Sequence, residues 1–396
     1  MNRRHFLQSL GLSAAAGCGY LNGVAWAAPA AASAATPAGN RYQNLLILVE
    51  LKGANDGLNT VIPYTDPLYS SLRPRLAIAR DQVLQLDERT GLHPSLSPLM
   101  SLWEGKELAV VRGVGYPKPN LSHFRSIEIW DTASDSETFL ETGWLGRALA
   151  AVPPPRQFAA DGVVVGASDM GPLAGGAVRT IALADTAQFL RSAKLAQTGA
   201  DQRNAALRHI QAVENEVLHA AGKLNSNYAF KTEFPKNPFG NQVRTAAQLV
   251  ASQAGMAVIR LTLTGFDTHA NQLGPHANLL KVLAEGMAAL KAALVELNRW
   301  DTTLIMTYAE FGRRPKENQS GGTDHGTANS HFLMGGKVKG GLYGEAPQLN
   351  RLDGEGNLGF AVDFRSLYAT VIERWWGSAS TDVLGGKFAP LGVLRA

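Results

Sequence analysis

The sequence predicts an α/β fold with a mostly parallel central sheet and helices on both faces. Short and almost continuously apolar runs recur along the chain, which is typical of strands that are covered on both faces. Helical patterns separate several of these runs, and this alternation favours parallel strands with helices packed on either side. Six runs are predicted as strands, at residues 44–51, 108–114, 162–166, 179–183, 256–264 and 302–309.

Residues 276–299 give the clearest helical pattern. Apolar side chains there alternate spacings of three and four, which places them on one stripe of a buried helix. The stripe consists of Leu280, Leu283, Met287, Leu290, Leu294 and Leu297. Residues 203–224 repeat the pattern, and residues 365–376 are predicted as a further helix.

Composition divides the chain into three parts. Residues 1–28 are predicted as an export signal, and residues 29–42, mostly Ala, Pro, Ser and Thr, as a flexible linker. Residues 43–396 are predicted as a single α/β domain with a helical insertion around 185–250. The segment 225–241, rich in Asn, Pro and Phe, is predicted as a loop beside this insertion.

The first residues resemble a twin-arginine export signal. Arg3 and Arg4 precede Phe6 and Leu7, an apolar run follows, and residues 25–27 fit an Ala-x-Ala cleavage site. The twin-arginine export machinery is therefore the expected partner, and the periplasm or the exterior is the expected location. An uncleaved anchor and a structural amphipathic helix are the alternatives.

Cys18 is the only cysteine of the chain and lies inside the predicted signal. The stretch that ends at Cys18 weakly resembles a lipoprotein processing site, so lipid anchoring at this residue is an alternative to secretion. The remaining chain has no cysteine for disulfides or thiolate ligands.

The charge balance excludes one class of partner. The whole chain has a formal net charge of +4, and without Arg3 and Arg4 it has 35 basic against 33 acidic residues. No basic run with interleaved aromatic residues indicates a nucleic-acid groove, so no nucleic-acid partner is expected. After the signal, no apolar stretch is long enough and free enough of charge to span a membrane.

Two stretches place a carboxylate and an imidazole side by side after a predicted strand. Asp267 and His269 are two residues apart at a strand end, so an extended backbone points both side chains the same way. Asp324 and His325 are adjacent and flanked by glycines. A mixture of oxygen and nitrogen donors suits divalent metals, although a structural Asp–His hydrogen bond is the alternative for the first pair.

Further candidates occupy the loops after other predicted strands. Asp56 is placed either to bind a metal or to cap a helix, and Ser122 either to cap a helix or to act as a nucleophile. Glu310 is a candidate ligand, base or orienting group for a histidine, and Arg313 a candidate for neutralising an oxyanion. Together these residues predict metal-assisted displacement at phosphorus or sulfur.

A series of motifs, spread from about residue 44 to 394, closely resembles a bacterial secreted family catalogued as domain of unknown function family 1501. The motifs are Gly53-Ala54-Asn55-Asp56-Gly57-Leu58-Asn59, Gly91-Leu92-His93-Pro94, Ser122-His123-Phe124, Gly143-Trp144-Leu145-Gly146-Arg147, Gly265-Phe266-Asp267-Thr268-His269, Glu310-Phe311-Gly312-Arg313 and Gly322-Thr323-Asp324-His325-Gly326. Many members of that family resemble twin-arginine export substrates.

That family is in turn similar to the alkaline phosphatase and sulfatase superfamily. The similarity implies a metal-binding aspartate after the first strand, matched by Asp56, and a nucleophile at the start of a later helix, matched by Ser122. It implies further metal ligands in late Asp/His clusters, matched by Asp267, His269, Asp324, His325 and His331.

The sequence departs from that superfamily in two respects. No cysteine is available for a formylglycine sulfatase site, and Asn271 stands where the superfamily's wider Asp–His spacing would place a histidine. The number of metal ions is therefore open, as is their identity among zinc, manganese, magnesium and calcium.

Two functions follow from these expectations. The first is an exported, metal-dependent hydrolase of phosphate or sulfate esters that acts on a small anionic ester or a component of the cell envelope. The alternative is a catalytically inert secreted protein that serves in binding or assembly on a sulfatase-like scaffold. A site within residues 150–250 is a weaker third option, because that region is poor in paired titratable groups.

Overall fold

The first strand, Leu45–Lys52, runs through the middle of a nine-stranded sheet in the computed structural model, which describes residues 41–175, 178–183, 223 and 226–395. The predicted export signal and nearly all of the predicted linker lie outside the described residues. The same is true of the helix predicted at 203–224, apart from residue 223, and of much of the insertion predicted around 185–250.

The described strands, in chain order, are β1 (Leu45–Lys52), β2 (Val61–Ile62), β3 (Leu84–Gln85), β4 (Gly91–Leu92), β5 (Leu108–Gly115), β6 (Gly162–Val165), β7 (Thr180–Leu183), β8 (Val258–Thr264), β9 (Thr303–Tyr308), β10 (Arg313–Glu317), β11 (Thr323–His325), β12 (Asn329–Met334), β13 (Gly341–Tyr343) and β14 (Val362–Asp363). All six strands predicted from the apolar runs are present, as β1 and β5 to β9.

The described α-helices are α1 (Gly57–Thr60), α2 (Pro67–Leu72), α3 (Met100–Glu104), α4 (His123–Thr132), α5 (Trp144–Ala151), α6 (Pro238–Ala251), α7 (Leu273–Glu296), α8 (Phe364–Ala369) and α9 (Thr381–Leu384). Helix α7 is the helix predicted at 276–299, and α8 continues into a π-helical turn at Thr370–Trp375. Helix α6 begins inside the segment predicted as a loop, because Asn237 caps its first turn through a hydrogen bond from the Gly240 backbone.

The large sheet has the strand order β13-β5-β12-β9-β1-β8-β6-β7, and β14 pairs with β5 at one end of that strand. Its neighbouring strands are parallel, apart from β12, which runs antiparallel to both β5 and β9. The predicted α/β fold with a mostly parallel sheet is therefore confirmed. The sequence does not predict β12, because Asn329, Ser330 and His331 make its first half polar.

Two hydrophobic cores lie on opposite faces of this sheet. Alternate residues of β1 point to opposite faces, so Ile47 packs in one core and Leu48 in the other. Leucines of α7 such as Leu290 cover the first face, together with α6. Trp130 of α4 and Trp144 of α5 cover the second face, together with α8. Helices on both faces are thus confirmed.

Strands β8 and β9 pair parallel with β1 on its two sides, so the carboxyl ends of all three strands meet at one edge of the sheet. Loops at this edge are the usual place for a ligand site in an open α/β sheet. Within the described residues, no helix has the length and apolar character needed to cross a bilayer.

Candidate metal centre

The loops after β1, β8 and β9 come into close contact at this edge. Gly53, which follows β1, has a φ of 106°, and a Cβ at this position would lie only 2.5 Å from the backbone nitrogen of Asp267. Glycine alone tolerates both the conformation and the approach. The backbone N–H of Gly53 also donates a 3.0 Å hydrogen bond to Oε1 of Glu310, which ties the three loops together.

His123 is held by Glu310. This histidine is the first residue of α4, and its Nδ1 lies 2.7 Å from Oε1 of the buried Glu310. The hydrogen bond raises the pKa of His123 above its usual value, although burial acts in the opposite direction. Nε2 of His123 is screened from solvent and makes no hydrogen bond to any described residue, and it points toward Oδ1 of Asp267 at 3.3 Å.

His325 is oriented in the same manner by a backbone group. Its Nδ1 lies 2.7 Å from the carbonyl oxygen of Leu121, which fixes the ring and leaves Nε2 directed at the centre. Nε2 lies 3.5 Å from Oδ1 of Asp267. Burial, together with the neighbouring positive groups, lowers the pKa of His325, so the ring favours the neutral form that a metal requires.

Arg313 fixes the carboxylate at the middle of this cluster. Its Nη2 lies 2.6 Å from Oδ1 of Asp267. Burial acts to raise the pKa of Asp267, but the hydrogen bond and charge of Arg313 outweigh it, and the pKa falls to about 2. Asp267 is therefore ionised at any pH near neutrality.

His269 stands at the exposed side of the cluster. Its Nε2 lies 3.0 Å from Oδ1 of Asp267 and 3.0 Å from Nε2 of His325. Its Nδ1 lies 3.6 Å from Oδ1 of Asp324, and that oxygen accepts a 3.1 Å hydrogen bond from Asn318. Asp324 therefore belongs to the rim of the site and contacts the centre through His269.

The donor atoms of His123, Asp267 and His325 all lie within 4.8 Å of one another, the spacing needed for one metal ion. Two imidazole nitrogens and one carboxylate oxygen form a ligand set that zinc and other borderline divalent ions accept. The Nε2 atom of His123 is buried and has no hydrogen-bond partner among the residues that the structure describes, which fits metal ligation. We call the group of His123, Asp267, His269 and His325 the metal centre.

With this geometry established, sequence comparison gives the family. The model of the family described as "Protein of unknown function (DUF1501)" matches residues 81–382, more than half of the chain. The chain belongs to this family. The resemblance predicted from the motifs is thereby confirmed. Among curated proteins, none matches the chain.

Several solved structures are distantly similar to this DUF1501 chain. A protein in the alkaline phosphatase superfamily from Vibrio parahaemolyticus is 10% identical, with 87% of this chain and 69% of that chain covered and a TM-score of 0.42. A sulfatase from Pseudoalteromonas sp. is 10% identical, with 88% and 70% covered and a TM-score of 0.39. Alkaline phosphatase from the Antarctic bacterium TAB5 is 12% identical, with 76% and 94% covered and a TM-score of 0.33. These similarities are too distant to bear on activity or substrate.

Asp56, a predicted ligand, lies outside the metal centre and has other partners. Its side chain is buried, forms a salt bridge with Arg73 at 2.6 Å and accepts a hydrogen bond from Gln272 at 2.5 Å. It also caps α1 through the backbone N–H of Leu58. Since both carboxylate oxygens are engaged, Asp56 performs the capping role that the sequence left as the alternative.

His331, also a predicted ligand, lies beside the hydrophobic core on the second face of the sheet and not in the metal centre. It is fully buried on β12 and its ring contacts that of Trp130, with 5.3 Å between centroids. Within the described part of the chain, neither ring nitrogen of His331 has a hydrogen-bond partner, and burial lowers the pKa of His331 to about 3. The position in the core keeps this imidazole away from the ligand set.

Arg313, Glu310 and Ser122 are the remaining predicted site residues, and each lies at or beside the metal centre. Arg313 donates to the carbonyl oxygens of Ala54 and Thr323 and to Asp267, so its guanidinium is engaged by the protein and orients Asp267 instead of facing an oxyanion. Glu310 takes the orienting role among its three predicted options. Ser122 is the exposed residue before α4, and its hydroxyl makes no capping hydrogen bond.

His123 is the member of the metal centre that sequence reasoning missed. The sequence does not single it out as a ligand, because its partner Glu310 lies 187 residues away in the chain. The available signal was its position at the start of a helix that follows a buried strand. A histidine at such a position is as well placed to reach the edge of the sheet as Ser122 beside it.

Proposed function

We propose that this DUF1501 chain is an exported, metal-dependent hydrolase of phosphate or sulfate esters. The observation that supports this most directly is the convergence of His123, Asp267 and His325 at ligand spacing. Each of the three has an independent partner that fixes its orientation: Glu310, Arg313 and the carbonyl of Leu121. Such supporting contacts are characteristic of metal sites.

In this proposal each residue of the metal centre and each of its neighbours has a separate role. Nε2 of His123, Nε2 of His325 and Oδ1 of Asp267 would hold one divalent ion. His269 is a fourth candidate ligand. A bound divalent ion supplies charge stabilisation for the ester oxygens and lowers the pKa of a coordinated hydroxyl or water. Arg313 keeps Asp267 ionised and in place, and Asp324 positions His269 at the rim.

Ser122 is the proposed nucleophile, and a water molecule is the alternative nucleophile. The residue lies between Leu121, whose carbonyl holds His325, and His123 itself. Its backbone is therefore anchored to the metal centre on both sides, and its exposed hydroxyl has no capping role. The hydroxyl attacks phosphorus or sulfur, the alcohol leaves, and the serine ester formed is then hydrolysed by water.

Export is part of the proposal and rests on the sequence around Arg3 and Arg4. Twin-arginine export carries folded proteins, so the metal centre could assemble before transport. Replacing both arginines with lysine should keep the chain in the cytoplasm. Appearance of that variant in the periplasm at the normal level would contradict twin-arginine export.

The decisive test of the metal centre is metal content. The chain purified without chelators should hold about one equivalent of a divalent ion, while His123→Ala and His325→Ala should lose most of it. His331→Leu is the matched control, because this histidine is buried away from the centre and should leave the metal content unchanged. Absence of metal from the folded wild-type protein would exclude the proposal.

Activity is tested separately on a panel of aryl phosphate and aryl sulfate esters. Ser122→Ala should lower kcat by at least about a hundredfold if serine attacks, and by much less if water attacks. Asp324→Ala should also reduce hydrolysis, by releasing His269. A protein that binds metal yet hydrolyses none of these esters would favour the binding and assembly role instead.

A further inference from the structure

A cavity that adjoins the metal centre contains an arginine without an acidic partner. The cavity has a volume of about 210 Å³ and is lined by residues of α1, β5 and β12 and by parts of the segment 345–361. Arg313 also lines it and binds Asp267 through its guanidinium, but none of the four residues of the metal centre is part of the lining. The cavity is therefore a neighbour of the metal centre and not a part of it.

Arg112 of β5 is the unpaired cation of this cavity. It is partly buried, and its Nη1 and Nη2 donate only to neutral acceptors, the hydroxyl of Thr90 at 3.2 Å and the carbonyl oxygen of Gly344 at 3.1 Å. Among the described residues, no carboxylate forms a salt bridge with it. Burial lowers the pKa of Arg112, and the charge of Asp87 does not offset this. Cations that leave water are normally paired, so Arg112 indicates a missing anion.

The guanidinium of Arg112 keeps donors for such an anion. Its Nε is screened from solvent and is not the group that would meet a ligand. Nη1 and Nη2 each carry a second N–H beyond the one already used, and the hydrogen bond from Nη2 to Gly344 is exposed to solvent. Two N–H groups of one guanidinium are the usual partners of the two oxygens of a carboxylate.

A β-bulge brings Arg112 into the wall of the cavity. The register between β5 and β12 shifts beside Ser330, so that Arg112 and Gly113 together oppose this one residue. Gly113 has a φ of 65°, which a residue with a side chain rarely adopts. Bulges of this kind bend a strand and redirect its side chains, often next to a functional site. All three residues line the cavity.

The other charges around the cavity do not supply the missing anion. Glu345 and Arg351 both line it, are both exposed and cancel in the count of charges. Arg313 is already paired with Asp267. One uncompensated positive charge remains, that of Arg112, and a monoanion matches it.

We propose that this cavity binds a small organic carboxylate with an apolar body. The carboxylate accepts hydrogen bonds from Nη1 and Nη2 of Arg112. The apolar body packs against Leu58, Val61, Leu358 and Phe360, which line the same cavity. Phe360 is 42% exposed, and a ligand in this position would cover its ring.

An inorganic phosphate or sulfate ion fits this cavity less well. Such an ion has no apolar part, whereas much of the lining is apolar, and a second negative charge would have no partner beside Arg112. A longer carboxylate has room to extend, because a second cavity of about 550 Å³ shares Arg112, Thr90 and Gln348 with the first. The lining therefore favours an organic anion.

The test is calorimetric titration of the full chain with benzoate and benzamide, at constant ionic strength in a buffer free of carboxylate and phosphate. Benzoate should bind saturably with a stoichiometry of one, and benzamide, its neutral counterpart of similar shape, at least about tenfold more weakly. Arg112→Gln, which removes the charge, should weaken benzoate binding at least about tenfold. Arg156→Gln, at an exposed position outside the cavity, is the matched control and should bind as the wild type does.

Two further variants separate the cavity from other effects. Phe360→Ala should weaken benzoate binding about fivefold through lost apolar contact, and its exposed position makes it the second measure if Arg112→Gln does not fold. His325→Ala should bind benzoate as the wild type does, because the metal centre does not line the cavity. Phosphate is titrated into the same His325→Ala variant, since in the wild type it would also reach the metal centre, and should bind more weakly than benzoate.

Five results would each overturn the proposal. They are a lack of saturation by benzoate, equal binding of benzamide, unchanged affinity in folded Arg112→Gln, loss of benzoate binding in His325→Ala, and tighter binding of phosphate than of benzoate in that variant.

Discussion

Oε1 of Glu310 lies 2.7 Å from Nδ1 of His123, and this contact decides which ring nitrogen faces the metal centre. The same carboxylate oxygen accepts the backbone N–H of Gly53 at 3.0 Å, so it is anchored to the end of β1. The carboxylate and the histidine come from loops after different strands, β9 and β5. The orientation of the site therefore depends on the sheet, which brings these two loops together.

Glu310→Gln should weaken metal binding by about 10- to 100-fold. The amide preserves the shape of the side chain but removes the negative charge that makes the imidazole of His123 a better ligand. The dissociation constant is measured by competition with a chromophoric chelator. Glu137→Gln provides the matched control, since that carboxylate is exposed and pairs with Lys118. Equal affinities for the two variants would contradict the orienting role.

Metal affinity should also fall as the solution becomes more acidic, and His123 should set where the fall begins. The hydrogen bond to Glu310 raises the pKa of His123, so the proton competes with the metal from a higher pH than for an ordinary histidine. Below that pKa the affinity should drop about tenfold per pH unit for this one proton. Asp267, with a pKa of about 2, does not contribute to the change in this range.

In Glu310→Gln the fall should start at a lower pH, because the imidazolium form loses its stabilising partner. The deficit of the variant should thus be largest near neutrality and become smaller in acid. Affinities measured at several pH values between 5 and 8 give the two curves. Parallel curves with a constant offset would mean that Glu310 does not control the protonation of His123.

Most strands of the large sheet could be predicted from the sequence, because buried parallel strands consist of nearly continuous apolar runs such as Leu45–Lys52. Strand β12, which lies between β9 and β5, could not be predicted from the sequence, because its first half is polar. That strand is buried by its neighbours and not by its own apolar pattern. The periodicity of apolar residues along the chain does not report burial by neighbouring strands.

The residues of the candidate site could likewise be predicted only in part. Asp267 and His269 could be found because they follow closely on the end of β8, and His325 because it stands beside Asp324 between glycines. Asp56 satisfied the same rule, yet Arg73 occupies its carboxylate. Which partner a buried carboxylate acquires depends on the tertiary fold, so a loop motif alone does not separate a ligand from a structural cap.

Asp56→Ala should destabilise the protein by about 3–5 kcal/mol, because it leaves the fully buried Arg73 without its charge partner. Metal stoichiometry of the folded fraction should remain unchanged, since Asp56 lies outside the metal centre. Urea unfolding and metal analysis on the same preparation measure the two quantities. Asp81→Ala, at an exposed position, is the control for the loss of an aspartate. Loss of metal without loss of stability would restore Asp56 as a ligand.

His331→Leu should change the pH dependence of stability and leave metal binding intact. Burial lowers the pKa of His331 from 6.5 to about 3, so between these values the unfolded chain takes up a proton that the folded chain does not. The free energy of unfolding therefore falls with decreasing pH by up to about 1.4 kcal/mol per unit for this residue. Leucine cannot bind that proton, and this part of the slope should vanish.

The measurement is urea unfolding of wild type and His331→Leu at several pH values between 6 and 4. His93 and His276, whose pKa values burial lowers to about 4, remain in the variant and retain their own contributions to the slope. The difference in unfolding free energy between the two proteins should thus grow steadily in favour of the variant as the pH falls. A constant difference would mean that His331 is protonated in the folded state, which requires an acceptor or an ion beside it that its present apolar surroundings do not provide.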